Sequence, residues 1–169
     1  MSEIIIRDAI PLDSTGIAIV QAYTWLTTYA GLIPDDVLSA RVDRVPQQAE
    51  YIAARIGQGD VYAVAVCGSA VVGFACASSS RNESFPKDGE IQGLYVLKGF
   101  QGRGVGKSLF ENCARKLRAN GHEHLIVNCL EGNPSEKFYL RMGGSEVGTR
   151  EDALRGGHVI REKIIRFDI

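Results

Sequence analysis

Glycine at every second position, Gly102, Gly104 and Gly106, within Gln101-Gly102-Arg103-Gly104-Val105-Gly106-Lys107-Ser108, is the feature that most limits how this chain can fold. An apolar run from Ile91 to Leu97 precedes it, and a segment with helical spacing follows, so the glycines sit in a strand-to-helix turn. Without Cβ atoms, the main chain can approach a bulky anion closely. Successive N–H groups can then face one concavity at the positive end of the following helix. Arg103 and Lys107 add positive charge beside it. The pattern reads as a seat for a phosphate group, a diphosphate first among them. The plainer alternative is a glycine-rich turn with no ligand.

Spacing separates the known glycine-rich designs. A dinucleotide fingerprint needs G-x-G-x-x-G after the first strand; here the third glycine comes one position early and the loop lies past mid-chain. A P-loop needs G-x-x-x-x-G-K-[ST]. Gly106-Lys107-Ser108 supplies its second half, but Gln101 stands where its first glycine belongs. A nucleotide-binding phosphotransferase therefore stays open only as a near miss. It would use ATP or GTP with Mg²⁺, and the chain lacks an apolar strand ending in a clear magnesium-binding aspartate.

Gln101-x-x-Gly104-x-Gly106 fits the Q/R-x-x-G-x-G/A signature of the GNAT superfamily of N-acetyltransferases. The resemblance covers about residues 88–150 strongly and the earlier chain more weakly. Glu90-Ile91-Gln92-Gly93-Leu94-Tyr95-Val96 resembles that family's fourth strand. Asn133-Pro134 through Phe138-Tyr139, then Met142-Gly143-Gly144, resembles its later Asn…Phe-Tyr…Gly segment. Two positions depart from the pattern: Ser135 stands for a small apolar residue and Gly144 for an aromatic. The second is expected to loosen packing at the start of the sixth strand.

At 169 residues the chain is expected to form a single domain, 1–169, with a proper core. A net charge of −1 gives no reason to expect nucleic acid, and no basic run suggests a membrane surface. Met1 to Arg7 reads as neither signal peptide nor membrane span. Cys67, Cys76, Cys113 and Cys129 show no C-x-x-C spacing and read as reduced core residues away from the glycine loop. A cytoplasmic location is the default.

Strands are expected at Ile4–Ile6, Val61–Cys67, Ala70–Ser79, Gly89–Leu97, Leu125–Leu130, Ser145–Arg150 and His158–Phe167. A helix is expected from Ile17 to Tyr29, with Asp13 or Ser14 as its cap, and a second from Gln47 to Ile56. Pro34-Asp35-Asp36 reads as a further helix start. Val105, Leu109, Cys113 and Leu117 form the buried stripe of the helix after the glycine loop, which Asn120-Gly121 ends. Ser135–Arg141 is a short helix. The order is strand, two helices, three strands, helix, strand, helix, two strands: an α+β class with a mixed, mostly antiparallel sheet. The resemblance implies helices on both sides of that sheet and a splay between strands 4 and 5.

What the resemblance implies chemically is acetyl transfer from acetyl-CoA, used as co-substrate, to an amine by direct attack. The loop residues Gln101, Gly102, Arg103, Gly104, Val105, Gly106 and Lys107 are expected to hold the diphosphate. Leu94, Tyr95 and Val96 would line the pantetheine arm, which Asn133 would hydrogen-bond; Asn133 is equally a helix cap ahead of Pro134. Tyr139 is the candidate general acid for the departing thiolate, against simple packing beside Phe138. Glu90 is the candidate general base, directly or through water, against a solvent-facing strand residue. Trp25 and Tyr29 are candidate acceptor walls, against plain burial. His122 and His124 read as a surface pair, and no metal is called for.

The acceptor itself is not legible. Asp35, Asp36, Glu83, Asp88, Glu90, Glu151 and Asp152 suit a cationic amine or are solvated surface charge, and a peptide or protein N-terminus, a lysine or an amino-acid derivative is equally open. A non-catalytic acyl-CoA sensor on the same fold is the other rival. Small GNAT proteins are often dimers, and a homodimer is open here.

Overall fold

A computed structural model describes residues 3–154 and 156–169; the N-terminal Met1 and Ser2 in the stretch read above lie outside it. The elements run β1 (Ile4–Asp8), α1 (Ser14–Thr28), α2 (Asp35–Asp43), α3 (Val45–Gly57), β2 (Val61–Cys67), β3 (Ala70–Ser79), β4 (Gly89–Val96), α4 (Val105–Ala119), β5 (His124–Leu130), α5 (Ser135–Arg141), β6 (Ser145–Ala153) and β7 (Val159–Asp168). The strands form one seven-stranded sheet in the order β1-β2-β3-β4-β5-β7-β6. Only β4 and β5 are parallel.

Alternation along the strands gives the sheet two apolar faces. Ala63, Ala65, Val72, Ala75 and Ala77 turn toward α4, whose Val105, Leu109, Cys113 and Leu117 are all buried as their spacing requires. Val64 and Phe74 turn the other way, onto Ile17 and Val20 of α1 and Ile52 of α3. Helices thus cover both faces.

The sheet opens at one place. β4 pairs with β5 only over Gly89–Ile91, opposite Leu125–Val127. Beyond that the two strands run on to Val96 and Leu130 without pairing. The β3–β4 register slips at the same level: Ala77 faces Ile91 while Cys76 faces Gly93, leaving Gln92 as an extra residue. A bulge bends its strand and increases its twist. Gln92 therefore turns β4 away from β5 where the split begins.

Three sequence expectations need correction. Three helices, not two, precede β2. Pro34-Asp35-Asp36 does start a helix, α2, which the order given above left uncounted; it is polar, buries only Leu38 and so carries little apolar periodicity. Asp13 stands at the N-cap of α1 but makes no side-chain cap bond; its carboxylate accepts Ile10 N–H at 2.8 Å and Arg7 at 2.7 and 2.9 Å, closing a 3-10 turn over Pro11–Asp13. Gly144 does not loosen the sixth strand. A Cβ there would lie 2.5 Å from Ile165 Cγ2 and 2.6 Å from Phe167 Cζ, so the glycine admits two core side chains against the main chain. Gly144→Ala is expected to destabilise the protein by about 1–3 kcal/mol through overpacking, measured as a lower Tm in thermal unfolding.

Candidate active site

The opening between β4 and β5 is a cleft of about 510 Å³ that runs into the glycine loop. The loop enters α4 through two left-handed glycines, Gly102 at φ +71° and Gly104 at φ +79°. Only glycine adopts that backbone without strain. No atom lies within 4 Å of a Cβ built on either. Gly106 has ordinary helical geometry, and a Cβ there would only touch Phe138, at 3.4 Å. Two of the three glycines are therefore conformational requirements. The third position would take alanine, in line with the Gly/Ala alternative in the signature.

Ser108 N–H makes the first intrahelical bond of α4, to Gly104 O at 3.0 Å. The N–H groups of Val105, Gly106 and Lys107 precede it and have no intrahelical acceptor. With the helix dipole behind them they are able to take an anion at the mouth of the cleft. Gln101 anchors the turn by donating from Nε2 to Val96 O at 2.9 Å. Lys107 lines the cleft mouth and pairs with Glu111 at 3.7 Å. Arg103 lies over Phe100 instead, and Val105 is buried against the sheet.

The wall made by β4 offers main chain that β5 no longer pairs, although Val96 O is already taken by Gln101. Leu97 N–H bonds Val72 O at 2.9 Å, so alternation turns the groups of Tyr95 and Leu97 toward β3. Those of Leu94 and Val96 face the cleft, where β5 has already left. On the far wall, Asn133 Oδ1 accepts Ser135 N–H at 2.9 Å and starts α5. Its Nδ2 is left for the cleft, so capping and ligand contact are compatible in one side chain.

Tyr139 lines the same cleft, is 6% exposed, and packs edge-on against Phe138 and Phe167. Burial pushes its phenol well above the ordinary tyrosine range, with Cys129 and Tyr95 adding to the rise. The hydroxyl is therefore fully protonated at neutral pH, and it has no hydrogen-bond partner among the described residues. Tyr29 also lines the cleft, and burial raises its pKa too. The Tyr95 hydroxyl accepts Trp25 Nε1–H at 3.1 Å.

Two candidates lie elsewhere. Trp25 is not on the cleft surface; it packs with Ile33, Leu38 and Leu130, and the Arg41 guanidinium covers its ring at 3.2 Å. Glu90 does not face solvent: it is 2% exposed, beneath the split. Its carboxylate accepts Arg81 N–H at 2.9 Å and Asn128 Nδ2 at 3.2 Å, with the Arg81 guanidinium at 3.7 Å. Asn128 does line the cleft, and its buried Oδ1 has no partner. It connects Glu90 to the cleft. The sequence carried no sign of it, because only the parallel register brings β5 over Glu90.

Of the four cysteines, read above as core residues away from the glycine loop, Cys129 lines the same cleft as that loop. Burial pushes its thiol up to about 11, which leaves little thiolate at neutral pH. None of the seven acidic residues named above lines this cleft. Asp88 is held by Arg166 at 2.7 and 3.1 Å, Glu90 is enclosed, and Asp152 pairs with Arg150 at 3.1 Å. His122 bonds Lys87 O and Ser79 while His124 pairs with Asp168, so the two histidines serve different partners. Among the described residues no group of three or more His, Cys, Asp or Glu is placed to hold a metal. No helix among them is long and apolar enough to cross a membrane.

The model of the acetyltransferase (GNAT) family matches residues 21–144. The chain belongs to that family. An uncharacterized N-acetyltransferase, YuaI of Bacillus subtilis (strain 168), is 33% identical over 134 residues, which cover 79% of this chain and 76% of that protein. Among solved structures, the PaiA N-acetyltransferase of Thermoplasma acidophilum, in complex with coenzyme A, superposes with a TM-score of 0.75 at 15% identity over 99% of each chain. YncA of Salmonella typhimurium, a putative acetyltransferase with its cofactor acetyl-CoA, gives 0.70 at 20% identity over 98% of this chain and 93% of that one. The GNAT fold is thus present along the whole described chain, and the cleft sits at its split. Membership also disposes of the half P-loop: Gln101, in place of its first glycine, is spent on the end of β4.

Proposed function

We propose that this GNAT protein is an N-acetyltransferase that moves the acetyl group of acetyl-CoA to a primary amine by direct attack in a ternary complex. The observation that carries the reading is the continuity of the cleft, from the start of α4, along β4 main chain that β5 no longer pairs, to a protonated, unpartnered Tyr139 hydroxyl. The coenzyme complexes of PaiA and YncA support the same donor, and YuaI, an N-acetyltransferase, the same reaction class.

The residues fit the donor as follows. Main-chain N–H groups from Gly102 to Lys107 hold the diphosphate, with Lys107 beside it. The Leu94 and Val96 main chain and Asn133 Nδ2 hold the pantetheine arm, so that binding far from the reacting carbon positions it. When bound, acetyl-CoA supplies the acetyl group as a thioester with a thiolate leaving group. An N–H of Leu94 or Val96 donates to the oxygen that gains charge, worth about 3–4 kcal/mol where such donors have been removed. As the amine nitrogen bonds to carbon and the C–S bond breaks, Tyr139 gives its proton to the sulfur. The amine's proton passes through water to Glu90, whose carboxylate Asn128 Nδ2 holds. Burial keeps Cys129 a thiol, which favours direct attack over an acetylated cysteine.

Calorimetric titration tests the donor. Acetyl-CoA is expected to bind tightly and ATP·Mg²⁺ to give no heat; the reverse pattern overturns the reading. Thiol release with a panel of amines then tests catalysis, and binding without turnover of any amine would make the protein an acyl-CoA sensor instead.

A further inference from the structure

A second cavity, of about 580 Å³, lies outside the cleft, between α1, α2, α3 and the β6–β7 turn. Its polar lining includes Gln21, Gln48, Tyr51, Arg41 and Arg44, with Asp36 as its one acid. Neither arginine forms an ion pair among the described residues. Arg41 is the unusual one. Its guanidinium is half-buried, lies flat on the Trp25 indole at 3.2 Å, and has no carboxylate to balance it. A charge withdrawn from water without a counter-ion is costly, and stacking on an aromatic face offsets only part of that cost.

The position of this cation links the two spaces. Trp25 donates to Tyr95 at 3.1 Å, and Tyr95 and Tyr29 line the cleft. The guanidinium therefore projects positive potential toward the reaction end of the cleft from behind one indole ring. A cationic amine such as a polyamine would meet repulsion there. A planar carboxylate matches the guanidinium fork.

We propose that Arg41 is the specificity residue for the acceptor: the helical cavity takes the carboxylate end of a peptide-like or amino-acid-like molecule, whose amine reaches the cleft. This rests on the acetyltransferase reading above. It gives the cavity's unpaired cation a partner and excludes acceptors that carry positive charge alone.

Matched dipeptides, as free acids and as C-terminal amides, test it. A charge-assisted bond lost with the amide is expected to lower kcat/KM by about tenfold or more in the wild type. Arg41→Gln should bring the acid-to-amide ratio close to one, and acetyl-CoA titration of that variant checks that the fold and cleft survive. Equal use of acid and amide by the wild type, or an undiminished preference in Arg41→Gln, overturns the proposal. Should the protein prove catalytically silent, the acetyltransferase reading fails but the anion site is still judged by binding. Trp25 is the only tryptophan of the chain, so its emission reports on the stacked guanidinium. Free-acid peptides are expected to change that emission, amides to leave it, and Arg41→Gln to abolish the difference; no change with free acids overturns the site.

Discussion

Tyr139→Phe is expected to lower kcat by about a hundredfold or more, while acetyl-CoA affinity and thermal stability stay close to wild type. The ring and the hydroxyl of Tyr139 have separate roles. The ring packs between Phe138 and Phe167, and phenylalanine keeps those contacts. The hydroxyl has no hydrogen-bond partner among the described residues, so its removal orphans no buried group. What is lost is a proton held ready at the cleft wall. Because burial raises the Tyr139 pKa well above its usual value, the wild type should show no alkaline fall in kcat from this residue across the ordinary working range. Steady-state kinetics with acetyl-CoA in excess, beside a calorimetric Kd and a melting curve, distinguish the cases. A large kcat loss with unchanged Kd and Tm supports the acid; an unchanged kcat means that the thiolate leaves without help from Tyr139.

The reach of the sequence differs from one part of the site to another. The glycine loop was legible because local backbone geometry dictates it: a left-handed φ at Gly102 and Gly104 is written into the residue type. Most strands were legible because β-branched alternation is also local, and their bounds agree to within a few residues. The split was implied by resemblance, but its origin at Gln92 was not visible. A bulge is a relation between two strands, and Gln92 carries no mark of it on its own. The same limit hid Asn128, which meets Glu90 across 38 positions, and the Trp25–Tyr95 bond across 70. Arg41 was passed over because α2 has almost no apolar stripe; only its packing on Trp25 and the absence of an acid partner single it out. Gly144 inverts the lesson. Read against a motif it looked like a loss of packing, whereas Ile165 and Phe167 occupy the room a side chain would take.

Glu90→Gln is expected to slow the reaction about a hundredfold near neutral pH, with the deficit shrinking as pH rises toward the pKa of the acceptor amine, about 10 for an alkylamine. The sign follows from what a base is needed for. Near neutrality most of such an amine carries a proton that must leave before nitrogen can attack; at high pH bulk solvent has already removed it. Glutamine preserves the shape of the buried side chain and one acceptor oxygen for Arg81 N–H, so the 80–88 loop keeps its main tether. It loses the second carboxylate oxygen, which accepts Asn128 Nδ2 on the path to the cleft. Asn128→Ala should reproduce the pH-dependent loss while Glu90 itself is intact. A deficit of equal size at every pH would assign Glu90 the positioning of Asn128 and the loop rather than proton transfer. An unaltered rate in both variants would move the base elsewhere in the cleft.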